Sequence, residues 1–292
     1  MVRKALLAAL AAVCLTIPAV GQAVGDYLDV FVVQVKPEKA EAFEALARKM
    51  ADANRKNNGD KWIAMESIYG ESNVTIFVST RSSYAEIDKS MDSFMGALNK
   101  AYGKEMAGKM LSEWNNYIVG SRTEFRKRRW DLSRKTSNDP AAYAKYIAGT
   151  RVLRTTAVHV KPGKIAEFEA EMKAVKEVAE KNDKTQPVLV SQVLEGGKGT
   201  TFYFSSLRSG LDGFDNNPSG AEVLGEEGYK KFLETASNTV EDTNYMVFRY
   251  SAELSSPPEA VIAAAPDFWN PKPSAAAAKP AKSKKADQAA KQ

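Results

Sequence analysis

The sequence contains one cysteine and one histidine among 292 residues, and these scarcities limit the chemistry open to it. The cysteine, Cys14, lies in an N-terminal segment that we expect to be removed. The mature chain would then have no disulfide, thiol nucleophile or thiolate metal site. A single histidine, His159, excludes metal sites built from several imidazoles. The sequence also lacks Gly-x-Ser-x-Gly and His-Glu-x-x-His motifs, so we predict neither a metal site nor a cofactor.

Residues 1–23 have the composition of a secretory signal peptide. Arg3 and Lys4 form a positive start, an apolar run rich in Leu and Ala follows, and Gly21-Gln22-Ala23 places small residues at the cleavage positions. The apolar run is shorter than the roughly 20 residues that a membrane-spanning helix needs. Cleavage is therefore favoured over an uncleaved anchor. We expect a secreted or periplasmic protein without a transmembrane anchor.

Positive charge concentrates at the two ends of the chain. The formal net charge is +5, but the Ala-, Lys- and Pro-rich run that ends at Gln292 holds six of the lysines. Such a run has few large apolar residues to offset the entropy of ordering, so we predict that residues 257–292 form a disordered tail. The remaining body has no basic excess that would indicate nucleic-acid binding. The tail is either a solvating extension or an attachment to an anionic cell surface.

One motif occurs twice, with a constant offset of 125 residues. Val35-Lys36-Pro37, followed by Phe43-Glu44-Ala45, returns as Val160-Lys161-Pro162, followed by Phe168-Glu169-Ala170. Each motif follows a segment rich in β-branched residues and precedes one with apolar residues at every third or fourth position. Each therefore predicts a strand ended by proline and then a helix. The repeat predicts two copies of one structural unit.

Each copy continues with the same order of elements. Two short β-rich runs joined across a turn predict a hairpin, a longer helical stretch follows, and a final β-rich run ends the copy. The order β-α-β-β-α-β is that of a ferredoxin-like unit, which makes the fold class α+β. We place the copies at residues 24–133 and 152–256. In the linker, residues 134–151, Asp139-Pro140 predicts the start of a short helix.

The second motif, Val160-Lys161-Pro162-Gly163-Lys164 with Glu167-Phe168 on the next helix, resembles the dimeric α/β-barrel superfamily. That superfamily includes antibiotic-biosynthesis-type monooxygenases, EthD-like proteins and NIPSNAP-like proteins. The resemblance implies that two four-stranded sheets pack face to face, with helices outside and ligands between the sheets. Two tandem ferredoxin-like repeats would then pack sheet to sheet as an intramolecular α/β barrel, because a single unit leaves one sheet face uncovered.

Strand alternation places His159 and Gln34 at equivalent positions, on the face opposite the motif valines Val160 and Val35. The resemblance implies that this face lines the space between the sheets, so both residues are candidate ligand contacts. His159 is also the candidate general base near neutral pH, with a structural strand histidine as the alternative. The resemblance disfavours a haem ligand here, because haem-binding relatives usually place theirs on a helix.

Four further residues are candidate ligand contacts. Arg126 and Arg128 share a strand face with Trp130, and an arginine–aromatic grouping suits carboxylate recognition. The alternative is a pair of solvated charges on an edge strand. Tyr203 and Tyr250 are strand aromatics of the second copy. They are either core residues or contacts that assist His159 in proton transfer.

These features favour a binding or structural protein over an enzyme. We expect an exported barrel that binds a small molecule, either apolar or a carboxylate, or a protein partner; a homo-oligomer is left open. One alternative is a cofactor-independent monooxygenase or isomerase that uses His159. Another is a cell-surface interaction protein that uses the Lys-rich tail.

Overall fold

The computed structural model describes residues 25–271, so the predicted signal peptide and residues 272–292 of the predicted tail lie outside the described part. The strands are β1 (Tyr27–Val35), β2 (Trp62–Tyr69), β3 (Val74–Arg81), β4 (Ile118–Arg128), β5 (Val152–Val160), β6 (Leu189–Glu195), β7 (Thr200–Arg208) and β8 (Val240–Ser256). The α-helices are α1 (Ala40–Lys56), α2 (Ala85–Tyr102), α3 (Lys104–Tyr117), α4 (Pro140–Ala148), α5 (Ile165–Lys181), α6 (Gly220–Thr239), α7 (Glu259–Ala264) and α8 (Pro266–Trp269).

The eight strands form one closed barrel in the order β1-β3-β2-β8-β5-β7-β6-β4. Every neighbouring pair is antiparallel. The first four strands of the chain are neighbours in the barrel, as are the last four. Two hydrogen-bonded seams, β2 with β8 and β4 with β6, join these halves edge to edge. The expected α/β barrel is therefore present, but its sheets are joined at their edges as well as facing each other, so none of the eight described strands has an unpaired edge.

The motif valines lie on the outer face of the barrel, under the helices. Val33 and Val35 pack with Phe43 of α1, and Val158 and Val160 pack with Phe168 of α5. The helical apolar stripe predicted from the motif thus covers the outside of the sheet, as alternation along the strand requires.

The opposite face forms the core inside the barrel. Its buried residues come from seven strands and from the helices at one end of the barrel, and include Val30, Val32, Met65, Val74, Ile76, Leu153, Ala157, Leu189, Val193, Tyr203, Leu207, Met246, Phe248, Tyr250, Ile147, Val261 and Trp269. This interior core is where a ligand cavity can form, because residues of both halves meet there.

The linker helix α4 begins where the sequence predicts. Asp139 has extended backbone, its Oδ1 accepts a hydrogen bond from Ala142 N at 2.8 Å, and Pro140 occupies the first helical turn. Both features are favourable at a helix N-terminus. The helix places Tyr143 and Ile147 against the barrel interior.

The predicted disorder from residue 257 onward is wrong for residues 257–271. These residues form α7 and α8, and Trp269 is fully buried. The Trp269 indole lies edge-on to Tyr250, with ring centroids 6.0 Å apart, and its Nε1 donates to Ala148 O at 3.0 Å. Val261 and Trp269 supply apolar surface that the average composition of the tail conceals, and its burial offsets the entropy of ordering.

Within residues 25–271, no helix has the length and apolar character needed to span a bilayer.

Candidate functional site

The barrel interior contains a cavity of about 130 Å³. Most of its wall is aliphatic, from residues such as Leu28, Val30, Val32, Ile63, Ile76, Val78, Leu153 and Leu189. Pro258 and Val261 contribute at the end where α7 lies. An apolar cavity of roughly 150 Å³ accommodates a benzene-sized molecule. The cavity is therefore large enough for a single ring or a short branched chain.

Three arginines of β4 point into this cavity: Arg122, Arg126 and Arg128. Successive side chains of a strand point to opposite faces, so the even-numbered positions of β4 all point to the same side. Their exposure decreases along the strand. The side chain of Arg122 is 45% exposed and that of Arg126 is 12% exposed, whereas residue Arg128 is only 5% exposed. Arg122 thus marks the solvent-accessible side and Arg128 the enclosed side.

Glu124 lies between these arginines on the same face and is 4% exposed. Arg126 Nε donates to Glu124 Oε2 at 2.8 Å, and Arg122 Nε donates to Glu124 Oε1 at 3.2 Å. Burial by itself raises the pKa of Glu124, but the positive charges and hydrogen bonds of Arg126 and Arg122 outweigh it and leave the pKa below its ordinary value. Glu124 is therefore held as a carboxylate that neutralises part of the arginine charge.

Tyr203 of β7 completes this group. Its hydroxyl donates to Glu124 Oε1 at 3.2 Å, and the guanidinium of Arg126 lies 3.5 Å from the centre of its ring. Burial raises the pKa of Tyr203. The positive charge of Arg126 lowers this pKa and the negative charge of Glu124 raises it, and the net pKa stays above its ordinary value. The phenol is thus kept neutral and fixed in orientation, and its ring holds Arg126 flat against the wall.

Arg128 has a different environment. Its Nη2 donates to the hydroxyl of Tyr143 at 2.6 Å, and its Nε donates to Gly25 O at 3.2 Å. The guanidinium carbon lies 4.7 Å from the ring centre of Tyr143 and 5.5 Å from that of Trp130. Within residues 25–271, no carboxylate lies within 4.0 Å of its nitrogen atoms. Neutral groups alone hold this buried cation.

The structure places four of the six predicted site residues on the cavity wall and two away from it. Arg126, Arg128, Tyr203 and Tyr250 line the cavity. Tyr250 is enclosed beside Trp269, and burial raises its pKa well above the ordinary value. The aromatic and arginine positions proposed from the sequence therefore meet in one place, although they come from both halves of the chain.

Gln34 and His159 lie near the ends of β1 and β5, outside the cavity. Gln34 is exposed. The Nδ1 atom of His159 is 2.8 Å from Thr201 Oγ1, and its Nε2 atom is 3.6 Å from Asp242 Oδ1, a carboxylate whose side chain is 68% exposed. A β-bulge follows each residue. Both residues were expected on the inward face of the barrel, but they lie too near the strand ends to reach the cavity. The structure therefore gives no geometric support to proton transfer by His159 together with Tyr203 or Tyr250.

Three residues of the site were absent from the sequence prediction. The sequence pattern could have indicated Arg122 and Glu124, because they precede Arg126 and Arg128 at every second position of one strand and so share their face. Tyr143 had none, since nothing in the linker sequence indicates that α4 lies against β4. Among residues 25–271, no group of three or more His, Cys, Asp and Glu side chains is arranged to hold a metal ion.

No protein-family model matches the sequence, and no curated protein matches it significantly. Among solved structures, the chain is similar to an anthrone oxidase-like protein, with 12% identity, coverage of 77% of this chain and 92% of that chain, and a TM-score of 0.49. It is similar to a provisionally assigned monooxygenase from Lactobacillus acidophilus, with 10% identity, coverage of 77% and 93%, and a TM-score of 0.46. It is also similar to a chlorite dismutase variant from Candidatus Nitrospira defluvii, with 9% identity, coverage of 82% and 96%, and a TM-score of 0.44. Similarity at this level does not transfer an activity to this chain.

Proposed function

We propose that this protein binds a small, largely apolar molecule inside its barrel. The observation that carries the proposal is the cavity of about 130 Å³, which has an aliphatic wall and a few polar groups converging on it from β4 and β7. Ligand sites in proteins have this character: mostly apolar, concave and largely preformed, with a small number of oriented polar groups. No chemical step is assigned, because the one histidine is not on the cavity wall.

Filling the cavity should abolish binding. Val78 lines the cavity wall beside Val30, its partner on the neighbouring strand β1, so Val78→Trp places an indole in the space that a ligand would use. We expect benzyl alcohol, a neutral single-ring probe, to shift the methyl NMR signals of Val30, Val32 and Ile76 in the wild type and not in the variant. The variant should remain folded, at a cost of about 1–3 kcal/mol for overpacking.

Val119→Trp is the matched control, because Val119 is 62% exposed on β4 and its replacement leaves the cavity unchanged. This control should respond to benzyl alcohol like the wild type. Unchanged methyl shifts in the wild type, or equal shifts in Val78→Trp, would contradict binding inside the barrel. If the wild type binds the probe and Val78→Trp does not, native mass spectrometry of protein purified from its own host would identify the natural occupant.

We further infer that the two halves of the barrel are copies of one unit and depend on each other. The repeated motif and the matching order of elements support duplication, and the two seams support dependence. Residues 24–140 and 141–260, expressed separately, should each expose two unpaired sheet edges and an uncovered apolar face. We expect them to associate with each other when mixed, as measured by analytical ultracentrifugation. Two stable monomers that ignore each other would contradict this inference.

A further inference from the structure

The residues around the cavity carry one more positive charge than negative charge, and the unmatched positive charge is that of Arg128. Arg126 is paired with Glu124 at 2.6 Å. Arg122 lies between Glu124, at 3.2 Å, and Glu71, at 3.9 Å. Two cations are thus matched by two carboxylates. Arg128 is the third cation on the wall, and it has no carboxylate partner in the part of the chain that the structure describes.

Burial makes this imbalance significant. Arg128 is 5% exposed, and a buried charge is stable only when it is paired or fully hydrogen-bonded. Its Nε and one proton of Nη2 are satisfied by Gly25 O and the Tyr143 hydroxyl. Its Nη1 makes no hydrogen bond within residues 25–271 and keeps some accessible surface, so it is open to the cavity or to solvent. Asp26 is close in space, since its backbone carbonyl accepts from Arg128 N at 2.7 Å, but its carboxylate accepts from Trp130 Nε1 at 3.2 Å.

The free donors of Arg128 are fixed in direction. The rings of Tyr143 and Trp130 contact the guanidinium, and they lie nearly perpendicular to each other, at 85°. The hydroxyl of Tyr143 accepts from Arg128, so its own proton is available to a second acceptor. Three donor groups, Nη1, Nη2 and the Tyr143 hydroxyl, therefore belong to residues that lie together on the cavity wall, where Arg128 is buried and Tyr143 is half-buried.

We propose that this surface binds the carboxylate of the cavity's ligand, which makes the natural ligand a small monocarboxylic acid with an apolar body. The inference rests on the proposed binding function and adds the chemical class of the ligand. A planar guanidinium binds a carboxylate through two parallel hydrogen bonds. One unmatched positive charge selects a monoanion, since a dianion would leave one negative charge buried without compensation.

The cavity accounts for the remainder of such a ligand. With about 130 Å³ available, the body has the size of one ring or a short branched chain. Along β4, Arg122 and Arg128 are six residues apart, or about 20 Å on an extended strand. The acid group would therefore lie at the enclosed end, near α4 and α7, with the apolar body extending toward Arg122.

Three single-ring probes of similar size test whether the cavity prefers a negatively charged ligand. Benzoate, benzyl alcohol and benzylamine share a ring and differ in charge, and each can be titrated into the full-length protein at neutral pH by methyl NMR after native mass spectrometry shows that no ligand has co-purified. We expect benzoate to bind at least about tenfold more tightly than benzyl alcohol, as charge-assisted hydrogen bonds provide. Benzylamine should bind most weakly.

Arg128→Met should remove this preference without removing the cavity. Methionine keeps an unbranched side chain of similar length and removes a buried positive charge that has no carboxylate partner within residues 25–271, and retained binding of benzyl alcohol shows that the variant is folded. Tyr143→Phe should weaken benzoate binding several-fold and leave benzyl alcohol unchanged. Arg249→Met is the control, because Arg249 is exposed on β8 and does not line the cavity.

The outcomes separate the two proposals. If benzyl alcohol binds the wild type as tightly as benzoate, or if Arg128→Met keeps the benzoate preference, the carboxylate assignment is wrong and binding inside the barrel stands. If none of the three probes binds the wild type, the proposed function itself is wrong.

Discussion

Replacing Trp269 with alanine is expected to lower the free energy of unfolding by about 3–5 kcal/mol, the range found when a buried aromatic side chain is removed from a core. Trp269 is fully buried, lies against Tyr250 and Phe268, and donates its indole N–H to Ala148 O. The substitution leaves a cavity beside Tyr250 and removes one of the two side-chain hydrogen bonds to Ala148 O, the other coming from Arg151 Nη1. Urea unfolding followed by circular dichroism measures the change.

Trp269→Phe is the matched control, because it keeps an aromatic ring and loses the hydrogen bond to Ala148. Its expected cost is smaller, about 1–2 kcal/mol. A larger loss in Trp269→Ala than in Trp269→Phe would show that α8 stabilises the protein mainly by burying an aromatic ring. A loss below about 1 kcal/mol in Trp269→Ala would show that α7 and α8 do not belong to the cooperatively folded unit.

Glu124→Gln is expected to destabilise the protein by about 3 kcal/mol at neutral pH, because it leaves the charges of Arg126 and Arg122 without their shared carboxylate. The folded-state pKa of Glu124 is below its ordinary value. The stability that it contributes is therefore present above about pH 4.3, the unfolded-state pKa of glutamate, and is lost as the pH falls through the lower folded-state pKa. The difference between wild type and variant should shrink over that interval.

Glu105→Gln serves as the comparison. Glu105 pairs with Lys109 on α3, and its side chain is 85% exposed. We expect a change within about 0.5 kcal/mol, as for other exposed ion pairs. Urea unfolding at several pH values measures both variants. A constant stability gap between wild type and Glu124→Gln down to the most acidic pH tested would contradict the proposed ionisation of Glu124.

The local elements of this fold could be predicted from sequence, since they depend on short-range patterns. Proline after Val35 and Val160 ends two strands, three- and four-residue apolar spacing indicates α1 and α5, and Asp139-Pro140 marks the start of α4. The seams could not be predicted, because strand propensity does not specify which distant edges pair. The structured segment after residue 257 was missed because a few anchoring residues are diluted in an Ala- and Lys-rich composition.

The candidate site likewise has features that the sequence could predict and features that it could not. Alternation predicts that Arg126 and Arg128 share a face but leaves open whether that face meets solvent or a cleft, and in the structure both side chains line the cavity. For Gln34 and His159 the inward face was implied by the family resemblance, and neither the resemblance nor the strand period carries information on depth along the barrel axis. These two residues lie beside bulges near strand ends, whereas Arg128 is enclosed by Tyr143 from a helix that joins the two halves.

The closed order of the strands has a consequence for how the protein must fold. Met65 of β2 pairs with Tyr250 of β8, so the seam between these two strands forms only when most of the chain, through β8, is available. Contacts this distant in sequence carry a large loop-closure entropy and make folding slow. Until β8 arrives, β2 is an unpaired edge that can add strands from other chains. The incomplete barrel is therefore the aggregation-prone form, and the pairing of β8 with β2 ends that exposure.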